Sequence, residues 1–290
     1  MSDIFVTPGD SLQAVCDGAA ENDVIRLAPG IYRQKLMIRT KGLSLLGAGP
    51  DRTRIVWDDF AKKEDETGRE YNTFRTWTAA VCADGVCLKD LSVINDALHP
   101  EVKGQEVALT VYGDSFRMED CVLSSTQDTL FLGPLPEDLT VRYVDLLPPE
   151  LRLLRPLSQH FTRCLIEGTV DFIFGCGSAV FEDCELRSLN DVRGIGYVTA
   201  PAHPSGQKTG FLFRGCRFTR EAGVPDRSIF LGRPWRDYGL AVFDGCRYEA
   251  HICPEGFDPW SGTRRDLTAR FLERPLREGR VPWAGPYSEA

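Results

Sequence analysis

Apolar and polar residues alternate in short runs along most of the chain, as in Ala108-Leu109-Thr110-Val111-Tyr112 and Tyr197-Val198-Thr199, and the runs are bounded by Gly, Asp and Asn. A period of two over a few residues predicts short, half-buried strands. One phrase recurs among them, reading aromatic, polar, polar, Cys, any, apolar. It stands at Phe161–Ile166, Phe181–Leu186, Phe213–Phe218 and Phe243–Tyr248, and with a longer lead-in at Phe116–Leu123. A weaker copy at Val86–Val93 has Asp90 or Leu91 where Cys would be. The Cys-to-Cys steps of 43, 20, 32 and 30 residues are irregular. A fixed phrase with irregular spacing predicts solenoid coils that carry loop insertions. Helical spacing appears once, where Asp10 precedes Leu12, Val15, Cys16 and Ala19, with Gln13 three residues after Asp10. That pattern predicts a short N-terminal helix capped by Asp10, which closes the open end of the stack. The predicted fold is therefore all-β, a right-handed parallel β-helix in one domain over residues 1–290. A polar loop is expected from Asp58 to Asn72, and an Arg-, Pro- and Gly-rich tail from about 255 to 290 is expected to run along the solenoid.

Composition narrows the function classes. With 42% hydrophobic and 26% charged residues over 290 positions, the chain can build a full core, and disorder, collagen and coiled coil are excluded. Acidic residues outnumber basic ones 42 to 34, and no basic run stands out, so no nucleic-acid partner is expected. Local arginines can still dominate a cleft. No stretch approaches the roughly 20 apolar residues of a membrane helix, so no membrane association is expected. The opening Met1 to Asp10 has neither a basic nor an apolar leader region, which predicts a cytoplasmic chain, or a secreted one if a leader has been trimmed. The ten Cys are expected as reduced thiols stacked at one turn of successive coils, and Cys82 and Cys87 lack a second pair to complete a zinc site. Neither a metal nor a cofactor is expected, and the chain is expected to be a monomer. None of His99, His160, His203 and His251 stands beside a Gly-x-Ser-x-Gly elbow, and Gly47-Ala48-Gly49-Pro50 lacks the Lys-Ser/Thr of a phosphate loop.

Several polar residues sit in unusually apolar settings. Asp171 interrupts the hydrophobic run Val170 to Phe174, and a carboxylate there needs a cationic partner. Asp128 follows Gln127, Gln105 opens a strand, and Arg233 stands close to Trp235 in Leu231-Gly232-Arg233-Pro234-Trp235. Each has a structural alternative: a turn or ladder aspartate, an edge amide, a buried salt bridge. Together, two carboxylates, one of them paired to Arg, and two neutral amide donors make up the equipment for ester hydrolysis by a carboxylate nucleophile.

The ordered blocks Gln-x-Val-Ala-Leu at 105–109, Gln-Asp-Thr-Leu at 127–130, Gly-Thr-Val-Asp-Phe-Ile-Phe-Gly at 168–175 and Leu-Gly-Arg-Pro-Trp at 231–235 resemble the signature blocks of the pectin methylesterases. The likeness extends over Ala28–Tyr32, Gly42–Thr53, Asn72–Arg75 and Asp84–Asn95. That family is a right-handed parallel β-helix, in agreement with the repeat. The resemblance implies that Asp171 attacks the C6 methyl ester of a galacturonate unit, that Arg233 keeps it ionised, and that Asp128 serves first as acid and then as base. It further implies that Gln105 and Gln127 donate to the oxyanion and that Trp235 stacks on a sugar. Phe131, Val170 and Phe174 would line the cleft, and methylated pectin or an oligogalacturonide would be the substrate. A cytoplasmic enzyme would act on imported oligogalacturonides.

The chain departs from the family pattern in three places. Gln34 stands where Glu is usual, and Ser125-Thr126 replaces Gly-Tyr before Gln127. The 43 residues from Asp128 to Asp171 exceed the usual spacing, which predicts an insertion at about 133–157 containing Pro134, Pro136, Pro148, Pro149 and Pro156. Such a stiffened segment beside the site is expected to wall off one end of the groove and to favour short substrates. The competing readings are a non-catalytic β-helix that binds acidic polysaccharide, a pectate lyase or polygalacturonase on the same fold, and a thioesterase of small esters.

Overall fold

Three sheets of eleven, seven and eight strands run side by side along the chain. The computed structural model describes residues 2–97 and 104–289, so His99 lies outside the described residues. One coil shows how the sheets are built. Strand Ser158–Thr162 lies in the first sheet, Leu165–Gly168 in the eight-stranded sheet and Val170–Gly175 in the seven-stranded one; Ser178–Glu182 then re-enters the first sheet one coil further on. Successive coils pair in parallel, Phe161 opposite Phe181 and Ile166 opposite Leu186. This is a parallel β-helix, the class that the repeat predicts.

The recurring phrase is the corner between the first two sheets. Its phenylalanines point inward and stack coil on coil, with ring centroids 4.8 Å apart for Phe161 and Phe181, 4.7 Å for Phe181 and Phe213, and 5.0 Å for Phe213 and Phe243. The residue before each Cys takes the left-handed backbone conformation: Asp120, Arg163, Asp183, Gly215 and Gly245 have φ between 51° and 65°. Gly and Asp tolerate that region best, which accounts for most of these choices. In the weaker copy Asp90 makes the same turn at φ 54°, so Leu91 takes the Cys position. Each thiol turns into the core, and several donate to a carbonyl of the preceding coil, as Cys216 does to Phe181 at 3.2 Å and Cys246 to Phe213 at 3.4 Å. All ten cysteines are free.

Two expectations are corrected. The N-terminal helix spans Leu12–Gly18, but its cap is Ser11, whose side chain accepts from Ala14 N. Asp10 instead accepts from the backbone and hydroxyl of Thr7 at 2.7 and 2.8 Å, closing the turn before the helix. The C-terminal segment is not a plain tail: Arg270–Arg274 pairs along its whole length with Leu240–Asp244, and Gly285–Pro286 adds a final strand. There Phe271 stacks on Phe257 at 4.8 Å, and the buried Glu273 is gripped by Arg280 at 2.8 and 2.9 Å.

The proline-rich segment beyond Gly133 holds a short α-helix, Glu137–Arg142, and a 3₁₀ turn, Pro149–Arg152. Its Leu135, Leu139, Leu147 and Leu151 join Met37, Phe74, Tyr112, Phe131 and Phe174 in a second apolar cluster, separate from the solenoid core. Apolar burial of this extent fixes the segment on the outer face of the seven-stranded sheet. Polar ties reinforce it: Leu135 N donates to the Tyr112 hydroxyl at 3.2 Å, Arg39 holds Glu150 at 2.6 Å, and Arg155 pairs with Asp84.

Candidate active site

In the seven-stranded sheet Leu130 pairs with Ile173, so Asp128 and Asp171, each two residues upstream, occupy equivalent positions on adjacent coils. Asp128 N donates to Val170 O at 3.0 Å, tying the two corners together. Both aspartates have positive φ, 67° at Asp128 and 50° at Asp171. On its other side the strand of Asp171 slips register between Val170 and Ile173. A bulge of this kind turns a side chain out of the regular alternation, which is how a carboxylate within a hydrophobic run avoids the core. Gly168 makes the corner possible: a Cβ there would collide with Phe172 and lie 2.7 Å from both Thr126 O and Thr129 Oγ1.

Arg233 approaches from the next coil but one. Its Nε and Nη2 donate to the two oxygens of Asp171 at 2.9 and 2.8 Å. The guanidinium is itself held between Tyr197 and Trp260, 3.9 and 4.1 Å from their ring centroids. Both carboxyls are nearly closed to solvent, Asp171 at 6% and Asp128 at 8% exposure. Burial pushes the Asp171 carboxyl above its ordinary value, and Arg233 pulls it back. Asp128 is pushed well above the ordinary range, first by burial and then by the charge of Asp171. A guanidinium can only donate, so the doubly gripped Asp171 is the ionised partner and Asp128 the one that retains its proton.

Gln127 is oriented by Arg193, whose Nη1 donates to Gln127 Oε1 at 3.2 Å. Arg193 is fixed by Asp191 through contacts of 2.7 and 2.6 Å. With its oxygen occupied, the Gln127 amide group is left to donate. Gln105, Gln127, Asp128, Asp171, Arg233, Trp235 and Phe174 all line one groove of about 420 Å³. Two sequence-predicted lining residues do not. Phe131 is buried beneath the groove against Phe74, Tyr112 and Phe174, and Val170 is buried at the start of its strand. Sequence reasoning missed Trp260, Tyr197, Arg193 and, from the inserted segment, Leu139, Arg142 and Tyr143. Asn72 to Phe74 also line the groove, on a loop pinned by the buried Asp59, which pairs with Lys35 and Lys63. Among the described residues no group of three or more His, Cys, Asp or Glu is arranged to hold a metal ion.

A family model described as Pectinesterase matches residues 2–134 and 154–279. The unmatched stretch between them falls in the inserted segment. The chain is 29% identical to Pectinesterase 31 of Arabidopsis thaliana over 95% of its own length and 81% of that protein's. It is 27% identical to Probable pectinesterase/pectinesterase inhibitor 64 of the same plant over 96% of its own length, but spans only 46% of that relative. Among solved structures it resembles a pectin methylesterase in complex with a hexasaccharide, with TM-score 0.79 and 26% identity over 93% of this chain and 87% of the other. It resembles the carrot pectin methylesterase equally, with TM-score 0.79 and 26% identity over 99% and 88%.

Proposed function

This chain belongs to the pectinesterase family, and from that premise we propose that it hydrolyses the C6 methyl esters of galacturonate units in pectin or its oligomers, releasing methanol, with Asp171 as the nucleophile. The observation that carries the assignment is the pair of register-matched buried carboxyls, one gripped at both oxygens by Arg233 and the other pushed towards its neutral form by burial and by the charge of the first. An Asp171 oxygen attacks the ester carbonyl, and the oxyanion that develops accepts from Gln105 and Gln127, preorganised donors of the kind worth ~3 kcal/mol apiece. Asp128 gives its proton to the departing methanol, leaving an acyl-enzyme anhydride on Asp171. The Asp128 carboxylate then takes a proton from water as that water attacks the acyl carbon. Galacturonate leaves as the free acid, and Asp128 is again protonated. Arg233 holds the returning carboxylate of Asp171 in place, and the half-buried Trp235 offers a ring face to the sugar.

Among the described residues no helix is long and apolar enough to cross a membrane. The expectation of a cytoplasmic location draws no support from the relatives, and the proposed chemistry does not depend on it. The testing experiment is methanol release from methylated pectin with chain length followed in parallel. Methanol with unchanged chain length is the expected result. Chain shortening or unsaturated ends without methanol would establish a lyase or polygalacturonase instead, and binding without turnover a carbohydrate-binding module.

A further inference from the structure

A largely buried ammonium stands behind the loop that runs between strands Thr53–Trp57 and Ala79–Val81 and lines the groove through Asn72, Thr73 and Phe74. Lys35 lies in the short link between strands Gly30–Arg33 and Leu36–Ile38, with 21% of its side chain exposed. Its Nζ donates to Asp59 Oδ2 at 2.5 Å and to Arg75 O at 2.6 Å, and it sits 4.5 and 4.9 Å from the ring centroids of Trp77 and Tyr71. One cation from a different part of the coil thus ties the start of the loop to its end. Enclosing a lysine costs hydration and rotamer freedom, so it is rare unless the charge has a partner. The proposed chemistry makes no use of it.

The loop bears directly on Gln105. Ala61, two residues after Asp59, donates its N–H to Gln105 O at 2.9 Å and accepts from Asn72 N at 2.9 Å. The approach is close, since a Cβ on Gly104 would lie 2.8 Å from the Ala61 Cβ. Glu106, the next residue, donates its N–H to Gln127 O at 3.0 Å. The backbone around Gln105 is therefore fixed from two directions, by the neighbouring coil and by the loop. Asn95 completes the frame: its Nδ2 donates to Asp59 O, Thr76 O and Val107 O at 2.8, 3.0 and 3.1 Å.

We propose that Lys35 is a positioning residue of the oxyanion site: by joining Asp59 to Arg75 it fixes Ala61, and Ala61 fixes the backbone from which Gln105 donates. The inference rests on the esterase reading above and adds a group outside the groove on which turnover depends. A donor of this kind works only where it is preorganised, and a misplacement of about 1 Å costs on the order of 100-fold. Without the Lys35 ammonium, the buried Asp59 carboxylate keeps Lys63, at 2.6 Å. Lys63 belongs to the same loop, so it neutralises the carboxylate without tethering it to the coil.

The test measures kcat and KM for methanol release from a methylated hexagalacturonate in the wild type, Lys35→Met, Gln105→Ala and the double variant, a cycle that separates action through Gln105 from action elsewhere. Gln105→Ala alone is expected to lower kcat by roughly 100-fold. Lys35→Met is expected to lower kcat by about 20-fold in the wild-type background, with little change in KM or in the circular dichroism spectrum, but by less than about threefold in the Gln105→Ala background. Asp59→Asn keeps the shape of the buried side chain and weakens the hold of Lys35, so it is expected to show the same pattern at smaller size, about fivefold. A loss in Lys35→Met that is as large without Gln105 as with it assigns a merely structural role and overturns the proposal, leaving the esterase reading intact. So does a folded Lys35→Met with wild-type kcat, or one in which KM alone changes. If Lys35→Met fails to fold, the Asp59→Asn cycle decides by the same criteria, and failure of both to fold makes the cluster a requirement of the fold alone and overturns the proposal. Failure of the wild type to release methanol overturns the esterase reading itself, and this proposal with it.

Discussion

Arg233 holds both oxygens of Asp171, at 2.9 and 2.8 Å, while its own guanidinium is clamped between the rings of Tyr197 and Trp260. In the proposed role as nucleophile, Asp171 would thereby be aimed before substrate arrives, with little reorganisation left for the reaction step. Replacing Asp171 with Asn preserves shape and removes the attacking oxygen. Methanol release is expected to fall by at least about 1,000-fold, with an unchanged circular dichroism spectrum. Activity within tenfold of wild type would remove Asp171 from the role. Trp260→Ala loosens the clamp and removes part of the groove wall, and is expected to lower kcat by roughly tenfold and to raise KM as well.

Activity should follow a bell in pH. On the acid side it falls as Asp171 gains a proton, at a value that burial raises above that of a free aspartate. On the alkaline side it falls as Asp128 loses the proton that methanol needs, at a pH well above the ordinary carboxylate range. The same shift carries a stability consequence. A carboxyl whose folded pKa is raised destabilises the fold once the pH exceeds its unfolded value, because the native state holds a proton that the unfolded chain has released. Asp128→Asn should therefore abolish turnover yet raise the melting temperature at pH 7, with the gain vanishing near pH 3. A gain independent of pH would show that Asp128 is ionised in the native state.

The Arg193–Gln127 contact of 3.2 Å fixes which end of the amide faces the groove. Gln127→Ala is expected to lower kcat by roughly 100-fold with little change in KM, the behaviour of a donor used mainly in the transition state. Arg193→Ala should give a smaller loss, about tenfold, because Gln127 can still sample the productive orientation. Steady-state kinetics on one methylated oligomer measures both. Equal losses in the two variants would mean that Gln127 contributes nothing without Arg193, and a larger loss in Arg193→Ala would mean that Arg193 acts on the site by a second route.

Thiol chemistry should leave the enzyme untouched. Eight of the ten cysteines are buried, and burial pushes the Cys121 and Cys176 thiols up to about 12. Titration with a disulfide reagent is expected to modify at most Cys82 and Cys87 in the native protein and all ten after denaturation. Activity is expected to persist in reductant and in chelator. Inactivation by reductant would imply paired cysteines, and calcium-reversible inactivation by chelator would favour a lyase.

Replacing residues 134–156 with a short Gly-Ser link removes Leu139, Arg142 and Tyr143 from the groove. It also uncovers the apolar face beneath Leu135, Leu147 and Leu151, so lower stability is expected as well. If the segment restricts the groove, the ratio of kcat/KM on a methylated tetramer to that on methylated pectin should fall severalfold. An unchanged ratio in a folded variant would limit the segment to packing.

The fold was legible because the coil corner repeats its physical demand. A left-handed residue followed by a buried one recurs at each of these corners, and the recurrence of the phrase betrays the stack even where Leu91 replaces Cys. The chemical groups were legible for a related reason, since carboxylates and an arginine embedded in apolar strands must find one another. Arg193, Tyr197 and Trp260 were not. Gln127 and Arg193 are 66 residues apart, and only the stacking of coils brings them together. Trp260 lies in a Pro-rich stretch whose pattern suggested a tail. The choice between Asp10 and Ser11 as helix cap turned on one residue of backbone geometry, which either side chain could have served. Phe131 points outward, as its strand requires, but the inserted segment and Phe74 cover that face.

Because Asp128 and Asp171 are matched through the backbone ladder, the distance between them is a lattice constant of the solenoid, indifferent to how much chain runs from one to the other. The 42 residues between them could be lengthened or shortened like the slack of a rope between two fixed pegs. If the segment restricts the groove, the enzyme's choice of substrate can drift through that loop while its reaction stays the same.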